Sequence, residues 1–458
     1  MAASRVVIIG AGPAGVRAAE TLVNAGLRPV LIDEAARDGG QIYRRQPAGF
    51  KRPASALYGS EADRADNLHQ SFERLRDQID YRPRCLAWNI SERVVHGSHD
   101  GRSEAFPFDA LIIASGATDR LMPVKGWDLA GVYSLGAAQI ALKSQAAAIG
   151  HHVVLMGTGP LLQLLATQYI KTSVKIAALL DTTPFISPMR ALPKLLARPD
   201  VMIKGINLVT TLAFSGIPIF RGITPIEITG DAEMGVDGVI VRLASGEIRH
   251  FECDAVAMGY HLRPETQLAD LARCAFEFDE ETRQYWPKID EDGRSSVSGV
   301  YLAGDGVRTQ GADGAEISGQ LAAHAVLADW GHTGPASRIA KLRTERMRME
   351  RFRRAIAAAY PWPHKLAATL PDETIVCRCE GITAGTLRAT AIEKGGVEMN
   401  RAKALSRVGM GRCQGRYCGH AAAEIIAAQA GCALANVGRI RGQAPVKPLS
   451  IATARQDS

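Results

Sequence analysis

The stretch RVVIIGAGPAGVRAAETLVNAGLRPVLIDE, close to the N-terminus, leaves this chain few ways to fold. The apolar run RVVIIG leads straight into Gly10-Ala11-Gly12-Pro13-Ala14-Gly15. A helix-forming segment follows, running to Gly26, and a second apolar run ends on Asp33 and Glu34. Strand, glycine turn, helix and strand in that order read as a nucleotide-binding βαβ unit. Gly10 allows the tight turn, Gly12 lets backbone approach a pyrophosphate, and Gly15 lets the helix pack close to the strand. Pro13 and Ala14 sit at the helix start, where free N–H groups and the positive dipole end face phosphates. An acid closing the second strand would accept from ribose hydroxyls; Asp33 and Glu34 both qualify, and Glu34 is favoured. A dinucleotide site is preferred to a plain turn because strand, helix and acid are in register. Gly39-Gly40-Gln41 reads either as a second close backbone approach to the same ligand or as an ordinary loop.

The pattern repeats near residue 151 as HHVVLMGTG, PLLQLLATQYIKTS and VKIAALLD. Here Gly157 and Gly159 are followed by Leu162 where the third glycine belongs. A leucine there should push the helix off the strand and weaken approach to a pyrophosphate. Asp181 ends the next strand, at the ribose-binding position. The second site is expected to be degenerate, either empty or holding a second nucleotide. The fold class is α/β with two Rossmann-like dinucleotide-binding domains. FDALIIASGA at 108–117 and GVYLAGDG at 299–306 read as buried strands running into small-residue turns.

At 458 residues the chain is too long for one ordinary core. Expected boundaries are 1–120 with 290–330 for the first domain, 121–289 for the second, 331–370 for a basic helical linker, 371–445 for a cysteine domain and 446–458 for a loose tail. The net charge of +7 argues weakly for nucleic acid, and none is expected as a partner. No signal-peptide pattern and no run of about 18 apolar residues is present. The expected compartment is the reducing cytoplasm, with any membrane association made through the electron acceptor.

Four of the eight cysteines fall in VCRCE and GRCQGRYCG: Cys377, Cys379, Cys413 and Cys418. Disulfides are disfavoured in a reducing compartment. Zinc usually takes C-x2–4-C pairs, so C-x-C is tight for it, though zinc stays open. An iron–sulfur cluster accepts four thiolates at varied spacings and is favoured. Arg378, Arg412 and Arg416 lie beside the cysteines, where guanidinium charge would offset the negative charge of a cluster. Gly411, Gly415 and Gly419 let the backbone curl around it. Cys85, Cys253 and Cys274 are widely spaced and read as buried small hydrophobes; Cys432 reads as core in an alanine-rich helix. No acid–base constellation stands out. His151 and His152 read as turn residues and His261 as a structural histidine. Residues 338–356 read as an amphipathic helix with Leu342, Met349, Phe352 and Ile356 on one stripe, stopped by PWP at 361–363.

Taken together, Gly10/Gly12/Gly15, GGQ at 39–41, ASGA at 114–117 and GVYLAGDG resemble the glutathione-reductase-like flavoproteins with two dinucleotide domains, over roughly residues 4–330. The resemblance implies FAD in the first domain, Gly304 and Asp305 at the ribityl chain, and Ala114, Ser115 and Gly116 near the adenosine half. The redox cysteine pair of the thiol–disulfide members is absent. The C-terminal segment resembles the small helical bacterioferritin-associated-ferredoxin-like [2Fe–2S] domain, from whose frequent C-x2-C second pair the C-x4-C here departs. Across the whole chain, TIVCRCEGIT and GMGRCQGRYCG resemble the A or α subunits of heteromeric opine and amino-acid dehydrogenases. That group includes the A subunits of octopine and nopaline oxidases, one component of hydrogen cyanide synthase, and the α subunits of proline and hydroxyproline dehydrogenases. It implies FAD, a [2Fe–2S] cluster, and a D-amino-acid-oxidase-like flavoprotein β subunit that oxidises a C–N bond. A further small subunit is compatible with it, and the electron acceptor is left unknown. A self-standing NAD(P)H-dependent reductase is the alternative.

Overall fold

The computed structural model describes residues 5–454 except 48 and 51. Its first sheet is parallel, in the order Val300–Leu302, Ala110–Ile113, Val6–Ile9, Val30–Ile32, Asp80–Arg82. The VVII strand is buried along its whole length because both faces are covered. Successive side chains point to opposite faces. Val6 and Ile8 enter the core shared with the helices Pro13–Asn24 and Gly311–Asp329. Val7 and Ile9 enter the core under an antiparallel meander of Cys85–Ser91, Val94–His99 and Arg102–Pro107. The first helix ends at Asn24, two residues before the expected Gly26, which instead makes the following turn with φ of +82°.

The second sheet is also parallel, in the order Ile219–Arg221, Lys175–Asp181, His152–Thr158, Ala255–Tyr260, Val132–Ser134. A second meander, Thr224–Asp231, Gly235–Arg242 and Ile248–Glu252, covers one of its faces. Between the strands Lys175–Asp181 and Ile219–Arg221 the chain crosses over as two helices, Ile186–Leu195 and Pro199–Ala213.

Three sequence expectations need correction. The basic helix, Ala336–Ala359, is a docked strap and not a free linker. Leu342 and Met349 are buried with Ile317 and Leu321, but Phe352 and Ile356 are only half-buried. Arg353 takes the buried place, its guanidinium 4.8 Å from the Trp286 ring and paired with Glu350. An arginine can pack this way because its planar cation suits an aromatic face. The tail is not loose over its described part. Val446 is buried, its N–H donates to the Trp88 carbonyl (3.1 Å), and Ser98 bonds Thr453 (3.0 Å). Cys432 lies outside the helix Gly419–Ala430, past its Gly431 cap, and is half-buried. Cys85, Cys253 and Cys274 are buried, and burial pushes the first two up to about 11 and about 12, as inert thiols require.

Candidate functional site

The first glycine loop is shaped by contacts that admit no side chain. Gly10 has φ of +105°, and a Cβ there would lie 2.3 Å from the Ala114 carbonyl oxygen. A Cβ on Gly15 would lie 1.7 Å from the Gly10 carbonyl oxygen. Gly12 differs: its nearest neighbour would be Gly40 Cα at 3.6 Å, so it borders open space at the helix N-terminus. Gly39 donates its N–H to the Ala11 carbonyl (2.9 Å), which seats Gly39-Gly40 against the loop. Gln41 is exposed and bonds Arg44. Ala114 continues the central strand through Ile9, and Gly116 has φ of +74°, where a Cβ would meet no atom within 4 Å. Gly304 lies against Ala14, its Cβ position 2.9 Å from Ala14 Cβ. One Asp305 oxygen accepts the Gln310 and Gly311 N–H groups (2.8 and 3.0 Å), and burial pushes the carboxyl up to about 6. These segments converge at the N-termini of two helices, which is a backbone cradle for a phosphate-bearing ligand.

The two candidate ribose acids differ in commitment. Asp33 accepts the Ala11 and Ala35 N–H groups (2.5 and 2.6 Å), and burial pushes it up to about 6. Glu34 is exposed and pairs with Lys447. Asp33 therefore braces the glycine loop, while Glu34 keeps a carboxylate at the surface.

At the second loop, Gly157 and Gly159 keep φ of +143° and +103°. Leu162 is fully buried in the core with Leu155, Leu165 and Leu179, filling the space a third glycine would leave open. Asp181 is buried and held by the Thr183 N–H and hydroxyl (2.9 and 2.5 Å). Thr182 closes onto the Gly157 carbonyl (2.8 Å). The end of the strap lies over the loop. His261 Nε2 bonds the Tyr360 carbonyl, Gln163 donates to the Tyr360 hydroxyl (3.2 Å), and Trp362 meets Tyr260 edge-on at 5.9 Å. Loss of water lowers His261 to about 4, so the ring is neutral and its N–H is used by Tyr360.

The four cysteines come together from three places. Cys377 ends the strand Ile375–Cys377, Cys379 lies in the turn before Ile382–Thr383, and Cys413 and Cys418 lie on the loop that opens the helix Gly419–Ala430. The thiols adjoin in a chain, Cys379 beside Cys413, Cys413 beside Cys418, and Cys418 beside Cys377. The neighbouring Cys418 thiol pulls Cys377 down to about 6 and Cys413 to about 5, while its two neighbours push Cys418 up. Cys377 and Cys418 are buried and Cys379 is exposed, so one edge faces outwards. Gly411 cannot carry a side chain, since a Cβ would lie 2.2 Å from Cys379 Cβ. Among the described residues no three His, Cys, Asp or Glu side chains gather as one metal ion needs. A chain of four neighbouring thiols suits two irons, each taking two thiolates.

Sequence reading missed what joins the two places. Arg416, between Cys413 and Cys418, donates to Glu265 (2.6 Å) and to the carbonyls of Cys413 and Val446 (3.2 and 2.5 Å). The Glu265 carbonyl accepts the Ser115 hydroxyl (2.6 Å), and its N–H donates to the Gly116 carbonyl (2.9 Å). Burial would raise Glu265, but Arg263 and Arg416 outweigh it and hold the carboxyl below its usual range. Arg416 thus spends its charge on Glu265, and Arg378 lies 5.1 Å from the Trp127 ring. Arg263 is the charged partner of Glu265 near it in sequence; the groups that join it to the two loops, Ser115 and Arg416, are about 150 residues away on either side. Gly319 was also missed: a Cβ there would lie 2.0 Å from the Ala14 carbonyl oxygen, and the signal was its place in the small-residue run GADGAEISGQLAAHA.

Residues 4–326 match the family described as pyridine nucleotide-disulphide oxidoreductase. The chain belongs to that family. Residues 375–428, which hold all four cysteines, match the BFD-like [2Fe-2S] binding domain. This member is therefore a flavin-dependent oxidoreductase with FAD and a [2Fe–2S] cluster as its cofactors. It is 38% identical to the A subunit of opine oxidase from Rhizobium meliloti, over 98% of this chain and 87% of that one. It is 30% identical to hydrogen cyanide synthase subunit HcnB of Pseudomonas aeruginosa, over 90% of each chain. In fold it is similar to L-proline dehydrogenase from P. horikoshii, with a TM-score of 0.73 and 18% identity, over 99% of this chain and 80% of that one. No helix among the described residues is long and apolar enough to cross a membrane.

Proposed function

We propose that this chain is the electron-transfer subunit of a heteromeric dehydrogenase or oxidase. Its substrate class is an opine or a secondary or small amino acid, of the octopine/nopaline, proline/hydroxyproline or glycine type, oxidised at its C–N bond. Substrate oxidation belongs mainly to a D-amino-acid-oxidase-like flavoprotein partner. Similarity to named subunits of opine oxidase and hydrogen cyanide synthase supports a heteromeric assembly. The observation that carries the reading is the part-buried link Ser115–Glu265–Arg416–Cys413, which ties the flavin-domain loop to the cysteine loop through two side chains.

In this reading Gly10, Gly12, Pro13, Ala14 and Gly15 receive the FAD pyrophosphate, with Gly39, Gly40 and Gln41 beside it. Glu34 offers its surface carboxylate to the ribose while Asp33 braces the loop. Ala114, Ser115 and Gly116 and the pair Gly304 and Asp305 line the same cradle. Cys377, Cys379, Cys413 and Cys418 hold the cluster. Bound there, FAD accepts electrons singly or in pairs and the cluster singly. Gly157, Gly159 and Asp181 are left without a nicotinamide role, because Asp181 is held by Thr183 and Tyr360 lies over the loop.

The test is the Cys413→Ser chain co-purified with its partner flavoprotein. Iron and sulfide per complex should be lost while flavin stays. Substrate should still bleach the partner's flavin in one turnover, but steady-state dye reduction should fall on the order of tenfold or more. Unchanged dye turnover would make the cluster structural and sink the reading.

A further inference from the structure

The crossover helices Ile186–Leu195 and Pro199–Ala213 each bury only one side. In the first, Ala191 is buried and the helix lies along the basic strap. In the second, Leu212 joins the core beside the helix Pro160–Lys171. The outward sides are not polar. Phe185, Met189, Leu192 and Leu196 are 64%, 74%, 53% and 57% exposed. Their spacing of i, i+4, i+7 and i+11 is one face of a helix. On the second helix Ile203 and Ile206 are likewise exposed, and Phe214, just past its end, is 87% exposed. A surface helix that faces only water carries its apolar stripe inward, so apolar side chains facing out on both helices mark an interaction surface.

Charge selects the occupant. Residues 184–214 contain Arg190, Lys194, Arg198 and Lys204 but only one acid, Asp200. Asp200 is taken by Arg198 through two bonds (2.8 and 2.6 Å), Arg198 also meets Asp313 (2.9 Å), and Lys204 pairs with Glu61. The cations left to edge the face are Lys194 and, in the cleft beside Arg198, the exposed strap residues Lys341 and Arg348. Lys194 is exposed and has no ion-pair partner among the described residues. A protein interface is rimmed by polar groups of mixed kind; apolar stripes edged by cations instead match an anionic lipid surface. Helices of 10 and 15 residues are too short to span a bilayer and can lie flat in its headgroup layer. We infer that this helix pair is an interfacial anchor that seats its apolar face in an anionic membrane. The inference goes beyond the proposed function and does not rest on it.

Vesicle flotation of the full chain tests it, with phosphatidylcholine alone and with added phosphatidylglycerol. The chain should float with the anionic vesicles, poorly with the neutral ones, and less as salt is raised. The triple variant Met189→Ser, Leu192→Ser, Phe214→Ser should lower the bound fraction on the order of tenfold, with melting temperature and flavin content unchanged. Lys194→Glu alone should reduce the preference for anionic vesicles, which keeps the test decisive if the triple variant folds poorly. No flotation of the wild type, or wild-type flotation by the triple variant, overturns the inference. So does loss of the partner subunit from the triple variant with flotation intact, which would make the face a protein interface.

Discussion

A single methyl group at Gly319 would lie 2.0 Å from the Ala14 carbonyl oxygen, on the helix that carries the first glycine loop. Two backbones therefore touch where the cradle is built, and Gly319→Val should force them apart. The expected cost is about 3 kcal/mol of stability with loss of bound flavin, read by thermal unfolding and by flavin per chain. His261 makes a prediction of a different kind. Its ring falls to about 4 in the folded chain from an ordinary value near 6.5. The unfolded chain thus binds this proton first, so the effect is nil well above pH 6.5 and destabilises the fold progressively as pH falls towards 4. The loss reaches about 3 kcal/mol at pH 4. His261→Gln should flatten that part of the stability–pH curve; an unchanged curve would show that the ring takes no part in it. Residue identity alone exposed the three glycines of the first loop, because each answers a separate steric demand. It could not separate Asp33 from Glu34, since neighbours in sequence diverge only once one carboxylate turns inward to the Ala11 N–H.

Elements meet where charge and aromatic faces are paired. Glu424, buried on the helix Gly419–Ala430, accepts two bonds from Arg283 (2.8 and 2.6 Å) and one from Trp362 (3.0 Å). Arg283→Leu would leave that carboxylate buried with a neutral donor only. The expected loss is about 3 kcal/mol, and limited proteolysis should release the C-terminal segment sooner than in the wild type. The strap helix was legible from its charge and its Pro stop, but its buried face was not. A cation such as Arg353 reads as solvent-facing until Trp286 is placed beneath it. The crossover pair carries the opposite lesson: its apolar spacing is helical in sequence, yet which side faces out is visible only once Ala191 and Leu212 are seen to be the buried ones.

At the scale of the whole molecule, one continuous core runs from the second sheet (Val154, Met156, Tyr260) through Trp127 to Cys377, Cys418 and Ile425. The cysteine segment is therefore built into the body and is not a tethered module, and the Trp127 indole N–H on the Ile375 carbonyl (2.5 Å) fastens it there. The same packing sets Tyr360 and Trp362 against the second glycine loop. Anaerobic addition of NADH to the isolated chain should leave its flavin oxidised on the timescale of minutes, followed by flavin absorbance. Rapid bleaching would restore the self-standing reductase.

The sequence by itself determined the two βαβ units and the family, and it singled out the four cysteines as the candidate ligand set. Those features depend on local sterics and spacing, which a chain carries wherever it goes. The tertiary structure alone decided that Arg416 serves Glu265, that Asp181 is spent on Thr183, that the tail packs through Val446, and that an apolar face points outwards. Each of these depends on which distant groups share one low-dielectric space, and burial, not residue type, sets where a charge finds its partner.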